Sequence, residues 1–342
     1  MVNIELVEKE LNQKKLHSIY LFYGEEQYLI ENCIKKIKNI FGECVKGINY
    51  ILIDETNIGE LISDIETPSF GYEKKLIIAK NTGLFKKEGK RKNADMANKK
   101  EKIIEYLSDN MQIVDESCVL VFCEEEAEKK DKLYEFIEKN GVVCKSDFQK
   151  PMQLTNRIKS ICNAYKVQID NYTIQYFFEV CGTEMQNLIN EIRKLIEYAG
   201  PGGTIKKEDI DKLSIKKIES VIFDLTDNLG KKNVTKALEV LHNLIYEKEP
   251  VQKILITLYN HFKKIYLTTI AVKLKKDVVV SLDLKPNQTF LVNKYKTQAK
   301  YFNEKELRLI LQDLTDLDYK SKIGQIDPLL GLETILCEHF NS

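Results

Sequence analysis

Short apolar runs alternate with amphipathic stretches over the first part of the chain, and the alternation then stops. Ile19-Tyr20-Leu21-Phe22-Tyr23 is an unbroken apolar run ending at Gly24, which predicts a strand buried on both faces. Behind it Tyr28, Leu29, Cys33, Ile34, Ile37, Ile40 and Phe41 recur at three- and four-residue steps and share one helix face. Tyr50-Ile51-Leu52-Ile53, Leu76-Ile77-Ile78-Ala79, Val119-Leu120-Val121-Phe122-Cys123 and Val142-Val143-Cys144 predict four more strands, and Leu61, Ile62 and Ile65 mark a short helix. Buried strands separated by helices imply a parallel α/β sheet. That domain is assigned residues 1–147.

The remainder reads as helical. A helix from about Leu154 to Tyr165 is followed by Asp170, an N-cap for a helix through Phe177 and Phe178 that Gly182 ends. Thr183 with Gln186 has capping-box spacing, and Leu188, Ile192, Leu195, Ile196 and Ala199 then line one face. A short helix starts at Lys207. From Ser214 a second helical unit begins, in which Ile218, Val221, Ile222, Leu225 and Leu229 keep helical spacing. Pro250 suits the first turn of a long helix carrying Ile254, Leu255, Leu258, Phe262 and Ile265, and Asp327-Pro328 opens a final one. The fold class is therefore an α/β N-terminal domain followed by two all-helical domains, at residues 148–213 and 214–342.

Composition narrows the function classes. Across 342 residues Lys+Arg 52 balance Asp+Glu 52, which removes any bulk electrostatic reason to coat nucleic acid or acidic lipid. No apolar run approaches membrane-spanning length, and the N-terminus is charged and amphipathic, so a cytoplasmic location is expected. The eight cysteines include no C-x-x-C pair, and no histidine stands near two of them at zinc spacing. They read as buried thiols, and no metal is expected.

A first strand running into a glycine turn and a helix invites a nucleotide reading, which needs a glycine-rich loop, a lysine and a hydroxyl. Tyr23-Gly24-Glu25-Glu26-Gln27 offers one glycine followed by two carboxylates, which would repel a triphosphate. Glu124-Glu125-Glu126 after the fourth strand resembles an acidic magnesium site, but reads more simply as a solvated helix start. G-x-S-x-G, H-E-x-x-H and G-x-G-x-x-G are all absent. His17, His242, His261 and His339 stand alone as packing or surface residues. No catalytic residue and no cofactor is expected.

Two features are left. In Thr67-Pro68-Ser69-Phe70-Gly71, Pro68 stops the preceding helix and Gly71 permits a tight turn before the third strand. Phe70 then either projects outward as a binding anchor or folds back as a core plug. The stretch from Lys80 to Lys102 holds nine basic against three acidic residues, and suggests a mobile loop opening into a helix at about Glu101. Its usual meaning is a solvated loop. A DNA-proximal role would fall on Lys86, Lys87, Lys90, Arg91, Lys92, Lys99 and Lys100.

Taken in order, the chain resembles the delta subunit of the bacterial DNA polymerase III clamp loader. The resemblance rests on residues 19–30 and 67–79, on Asn187-Leu188-Ile189-Asn190-Glu191-Ile192-Arg193-Lys194-Leu195, and on Ile222-Phe223-Asp224-Leu225-Thr226-Asp227. Leu258-Tyr259-Asn260-His261-Phe262-Lys263-Lys264, Asp327-Pro328 and Leu332-Glu333 complete it. The resemblance implies an AAA+-like, RecA-like first domain without a nucleotide site, a small helical lid and a C-terminal collar domain for oligomerisation. It implies binding to the ring-shaped sliding clamp (the beta subunit) and help in opening it for loading onto primed DNA. The implied partners are the motor (tau/gamma) and delta-prime subunits, with primer–template DNA reached through the complex and no membrane. A hydrophobic wedge at the turn before the third strand would enter the clamp, placing the site on Thr67, Pro68, Ser69, Phe70 and Gly71. The family's wedge has two adjacent large apolar residues, whereas Ser69 precedes Phe70 here. Delta-prime-type subunits carry a cysteine zinc module that this chain lacks, and an AAA+-related DNA-processing ATPase needs the missing phosphate loop.

Overall fold

The computed structural model of the chain describes residues 2–86 and 94–340. It divides into two compact units, Met1–Phe148 and Gln149–Ser342.

In the first unit the elements run α1 (Ile4–Asn12), β1 (Ile19–Tyr23), α2 (Gln27–Phe41), β2 (Tyr50–Ile53), α3 (Leu61–Glu66) and β3 (Lys75–Lys80). They continue with α4 (Ala94–Asp109), α5 (Met111–Ser117), β4 (Cys118–Glu124), α6 (Lys132–Asn140) and β5 (Val142–Lys145). The five strands form one sheet in the order β2-β3-β4-β1-β5, and every pairing is parallel. β1 lies between β4 and β5, with Leu21 opposite Phe122 on one side and Val143 on the other. Side chains alternate across a strand. Ile19, Leu21 and Tyr23 therefore share one face with Leu120 and Phe122 of β4 and with buried Leu61, Leu107, Val114 and Ile137 from α3 to α6. Tyr20 and Phe22, stacked at 5.5 Å, take the other face. Burial on both faces is why β1 and β4 read as unbroken apolar runs.

The second unit is helical: α7 (Pro151–Ala164), α8 (Asn171–Cys181), α9 (Met185–Ala199), α10 (Lys207–Leu213), α11 (Ile218–Gly230) and α12 (Val234–Tyr246). α13 (Val251–Lys273), α14 (Val278–Ser281), α15 (Leu291–Gln298), α16 (Glu304–Lys322) and α17 (Pro328–Phe340) follow. Asp170 caps α8 by accepting from the Thr173 amide at 2.7 Å, and Asp327 accepts from Leu329 and Leu330 at the start of α17. α11, α12, α13, α16 and α17 surround one core containing Ile222, Leu241, Leu258, Phe262, Leu314 and Leu336.

Three local expectations are corrected. The capping box at Thr183 and Gln186 does not form: Glu184 is the N-cap of α9, Gln186 donates to Asn190, and the Thr183 carbonyl accepts from Asn287. The basic stretch is helical well before Glu101, because α4 starts at Ala94; among its described side chains only Ile103 and Leu107 are fully buried, too sparse a stripe to show in the pattern. Residues 124–126 are not a helix start. Glu124 ends β4 and is buried, and α6 begins at Lys132 behind its own cap, Asp131.

His261 is buried in the core of the second unit. Gln298 Nε2 donates to the Phe223 carbonyl at 3.1 Å and to Asp227 Oδ1 at 2.7 Å, which leaves its Oε1 to accept from His261 Nε2 at 2.7 Å. Burial keeps the imidazole neutral and pushes its pKa down to about 4, against the opposing effect of the Gln298 bond. Unfolding releases a histidine that titrates near the ordinary value, so this contribution is complete above about pH 6.5 and is lost as pH falls toward 4. Between pH 7 and pH 4.5 the wild type should lose about 2.5 kcal/mol more stability than His261→Gln, measured by urea unfolding at each pH.

Candidate protein-docking site

In a parallel sheet the two edges have different characters. Turns that leave strands gather at the carboxyl edge, where open α/β sheets bind their ligands. Turns that enter strands gather at the opposite edge.

At the carboxyl edge the turn from β1 to α2 spans only Gly24, Glu25 and Glu26. It is closed by the chain that leaves β5: the Ser146 amide donates to the Tyr23 carbonyl at 2.7 Å, and the Ser146 carbonyl accepts from the Glu26 amide at 2.9 Å. Ser146 Oγ donates to the Glu26 carbonyl at 3.2 Å, and Gln27 Nε2 donates to the Gly24 carbonyl at 2.7 Å. A phosphate loop offers several free amides in a row. Here the amide of Glu26 is already used, and Ser146 stands against Gly24. Glu124, the acidic residue at the neighbouring strand end, is 3% exposed. Its Oε1 accepts from the Thr82 amide at 2.9 Å and hydroxyl at 2.6 Å, so it ties the exit of β3 to β4. Burial raises its pKa, against the opposing effect of the Thr82 bonds.

The turn from α3 into β3 lies at the opposite edge. α3 ends where Thr67 donates both its amide, at 2.9 Å, and its hydroxyl, at 2.6 Å, to the Ser63 carbonyl. Thr67 is extended ahead of Pro68, as the pyrrolidine ring requires. Ser69 to Tyr72 then form a β-turn: the Tyr72 amide donates to the Ser69 carbonyl at 3.0 Å, and Gly71 takes the positive φ of +81° that its third position calls for. Ser69 Oγ donates back to the Tyr72 carbonyl at 2.7 Å. This accounts for a small hydroxyl residue beside Phe70, because it closes the turn. Phe70 is left 78% exposed, and of the two dispositions open to it the structure adopts the outward one.

The turn is braced from below. Lys75 is buried at the start of β3, and its ammonium donates to the Asp64 carbonyl of α3; burial lowers its pKa. Lys74 donates to the Asp115 carbonyl of α5 at 2.5 Å. Sequence reasoning passed over both bracing lysines. The signal was present as two cations opening an otherwise apolar run, since a buried lysine there must find carbonyl partners.

The basic residues that are described do not converge. Lys86 is exposed. Lys99 pairs with Asp95 one helical turn away, and Lys100 is largely covered and pairs with Asp131, the cap of α6. Lys87, Lys90, Arg91 and Lys92 lie outside the described residues. Among the described residues no group of three His, Cys, Asp or Glu could hold a metal ion, and no helix is long and apolar enough to cross a membrane.

Comparison with known proteins bears on the two halves separately. The family model of DNA polymerase III, delta subunit, matches residues 20–146, and a model of the C-terminal domain of the same subunit matches residues 219–339. Together they span well over half of the chain. The chain belongs to the DNA polymerase III delta subunit family. The delta relatives include the DNA polymerase III subunit delta of Bacillus subtilis, 25% identical over 96% of this chain and 95% of that protein. A probable delta subunit from Aquifex aeolicus is 27% identical over 89% and 86%. The solved DNA clamp loader delta protein of Bacillus subtilis superposes with a TM-score of 0.76 at 23% identity, covering 99% of this chain and 100% of that one. The delta fold, AAA+-like in its first domain, is thus shared along the whole chain.

Proposed function

We infer that this delta-family chain grips a ring-shaped sliding clamp with the Thr67–Gly71 turn and favours the opened ring, without binding nucleotide itself. The observation that carries this reading is Phe70: a large aromatic side chain held in water on a turn that hydrogen bonds close from above and two lysines brace from below. Burying such a side chain contributes about 1.5–3 kcal/mol, enough to anchor an interface but not to break a ring alone. Opening therefore follows from binding the opened ring better than the closed one, which shifts the population between them. Prior ordering of the turn lowers the entropy lost when Phe70 docks.

In this reading residues 148–213 act as a small lid and residues 214–342 as the collar that joins the motor and delta-prime subunits in the cytoplasm. Primer–template DNA is met within that assembly, on the side of the Lys86–Lys100 segment. The closed turn at Gly24 supports the absence of a nucleotide step. Co-elution with a sliding clamp should occur without nucleotide, and titration with a fluorescent ATP analogue and magnesium should give no saturable signal. A clamp complex that forms only when ATP is added would overturn the reading.

A further inference from the structure

The second unit holds a cleft of about 500 Å³ that clamp binding does not use, an ordinary size for a small-molecule site. Its inner wall carries Lys264 of α13 and Tyr295 of α15, and Leu267 and Leu282 give it an apolar side. Glu219 and Asp283, both exposed, also line it.

Tyr295 is 3% exposed. Its ring packs on Phe223 and His261 with centroids 4.9 and 5.3 Å apart. Its hydroxyl has no hydrogen-bond partner among the described residues and is open to the cleft. Lys264 is half-buried, with its ammonium 6.0 Å from the Tyr295 ring centroid and no carboxylate within 4.0 Å among the described residues. Burial lowers its pKa, while Glu219 and Asp283 act the other way. His261 is held neutral by burial and adds no charge. Lys263, also at the cleft, is exposed to water. The inner wall thus offers two unanswered donors, and the exposed residues carry two carboxylates against one lysine.

We propose that this cleft binds a small zwitterion of the amino-acid class, its carboxylate on Lys264 and the Tyr295 hydroxyl, its ammonium toward Glu219 and Asp283, and an apolar side chain along Leu267 and Leu282. A phosphate dianion fits this polarity poorly, because its second charge would face the two carboxylates.

The test uses the full chain labelled with 3-fluorotyrosine, with Tyr295→Phe assigning one of the 17 tyrosine fluorine signals. L-Leucine, acetate, methylammonium and inorganic phosphate are titrated separately. The Tyr295 signal should move saturably with L-leucine, at lower concentration than with any of the other three, and Lys264→Gln should weaken L-leucine roughly tenfold. Asp283→Asn, at an exposed position, should weaken L-leucine but not acetate, which keeps the test open if Lys264→Gln disturbs the remaining tyrosine signals. No saturable movement up to the solubility limit of L-leucine would overturn the proposal. So would phosphate binding as well as L-leucine, or unchanged L-leucine affinity in both variants.

Discussion

Phe70→Ala is expected to weaken binding to the sliding clamp about thirtyfold or more while leaving the fold intact. The two halves of that expectation have separate physical grounds. Phe70 is 78% exposed, so its removal deletes almost no internal packing, and unfolding free energy should change by no more than about 0.5 kcal/mol. An aromatic anchor that fills a partner's pocket contributes about 2 kcal/mol or more to an interface, which is the thirtyfold. The turn itself survives the substitution, since its closure depends on the Ser69 hydroxyl and on backbone groups of Ser69 and Tyr72. Surface-immobilised clamp with wild-type and variant chains as analytes, paired with urea unfolding, measures both quantities. A variant that unfolds early would return Phe70 to the core; one that binds normally would remove it from the interface.

Gly24→Ala should behave in the opposite way, with a loss of about 4 kcal/mol in stability. Gly24 sits at φ +126°, where side chains are strained, and a β-carbon there would stand 2.4 Å from the Ser146 carbonyl oxygen. The obstacle is backbone and cannot swing aside as a side chain could. Moving Ser146 away would break its bonds to Tyr23 and Glu26 together. Because the β1–α2 turn and the Phe70 turn lie at opposite edges of the sheet, the folded fraction of Gly24→Ala should keep its affinity for the clamp. Urea unfolding gives the stability, and clamp binding below the transition gives the affinity. A fully stable Gly24→Ala would mean that the turn has room to open, which is also what a phosphate would need.

What the sequence discloses follows from how local each interaction is. β1 and β4 are legible because both faces are buried, so no polar residue interrupts them, and the Phe70 turn because Pro68 restricts the residue before it and Gly71 permits a positive φ, neither needing a distant partner. α4 escapes notice because its buried stripe is narrow and its other faces carry lysines. Glu124 is misread for another reason: its partner Thr82 lies 42 positions away, and nothing near Glu124 distinguishes a buried carboxylate from a solvated one. The same holds for Ser69, whose hydroxyl matters only once Gly71 has turned the chain back toward it. The cleft of the second unit is the extreme case, since Glu219, Lys264 and Tyr295 come from three helices and share no motif.

Clamp gripping, as proposed, requires that the Phe70 side chain itself enter the clamp. A photoreactive benzoylphenylalanine at position 70, irradiated in the nucleotide-free complex and mapped by peptide mass spectrometry, addresses this directly. Cross-links confined to one pocket of the clamp are the predicted result. A complex that forms in the dark but yields no clamp cross-link from position 70 under irradiation would contradict it.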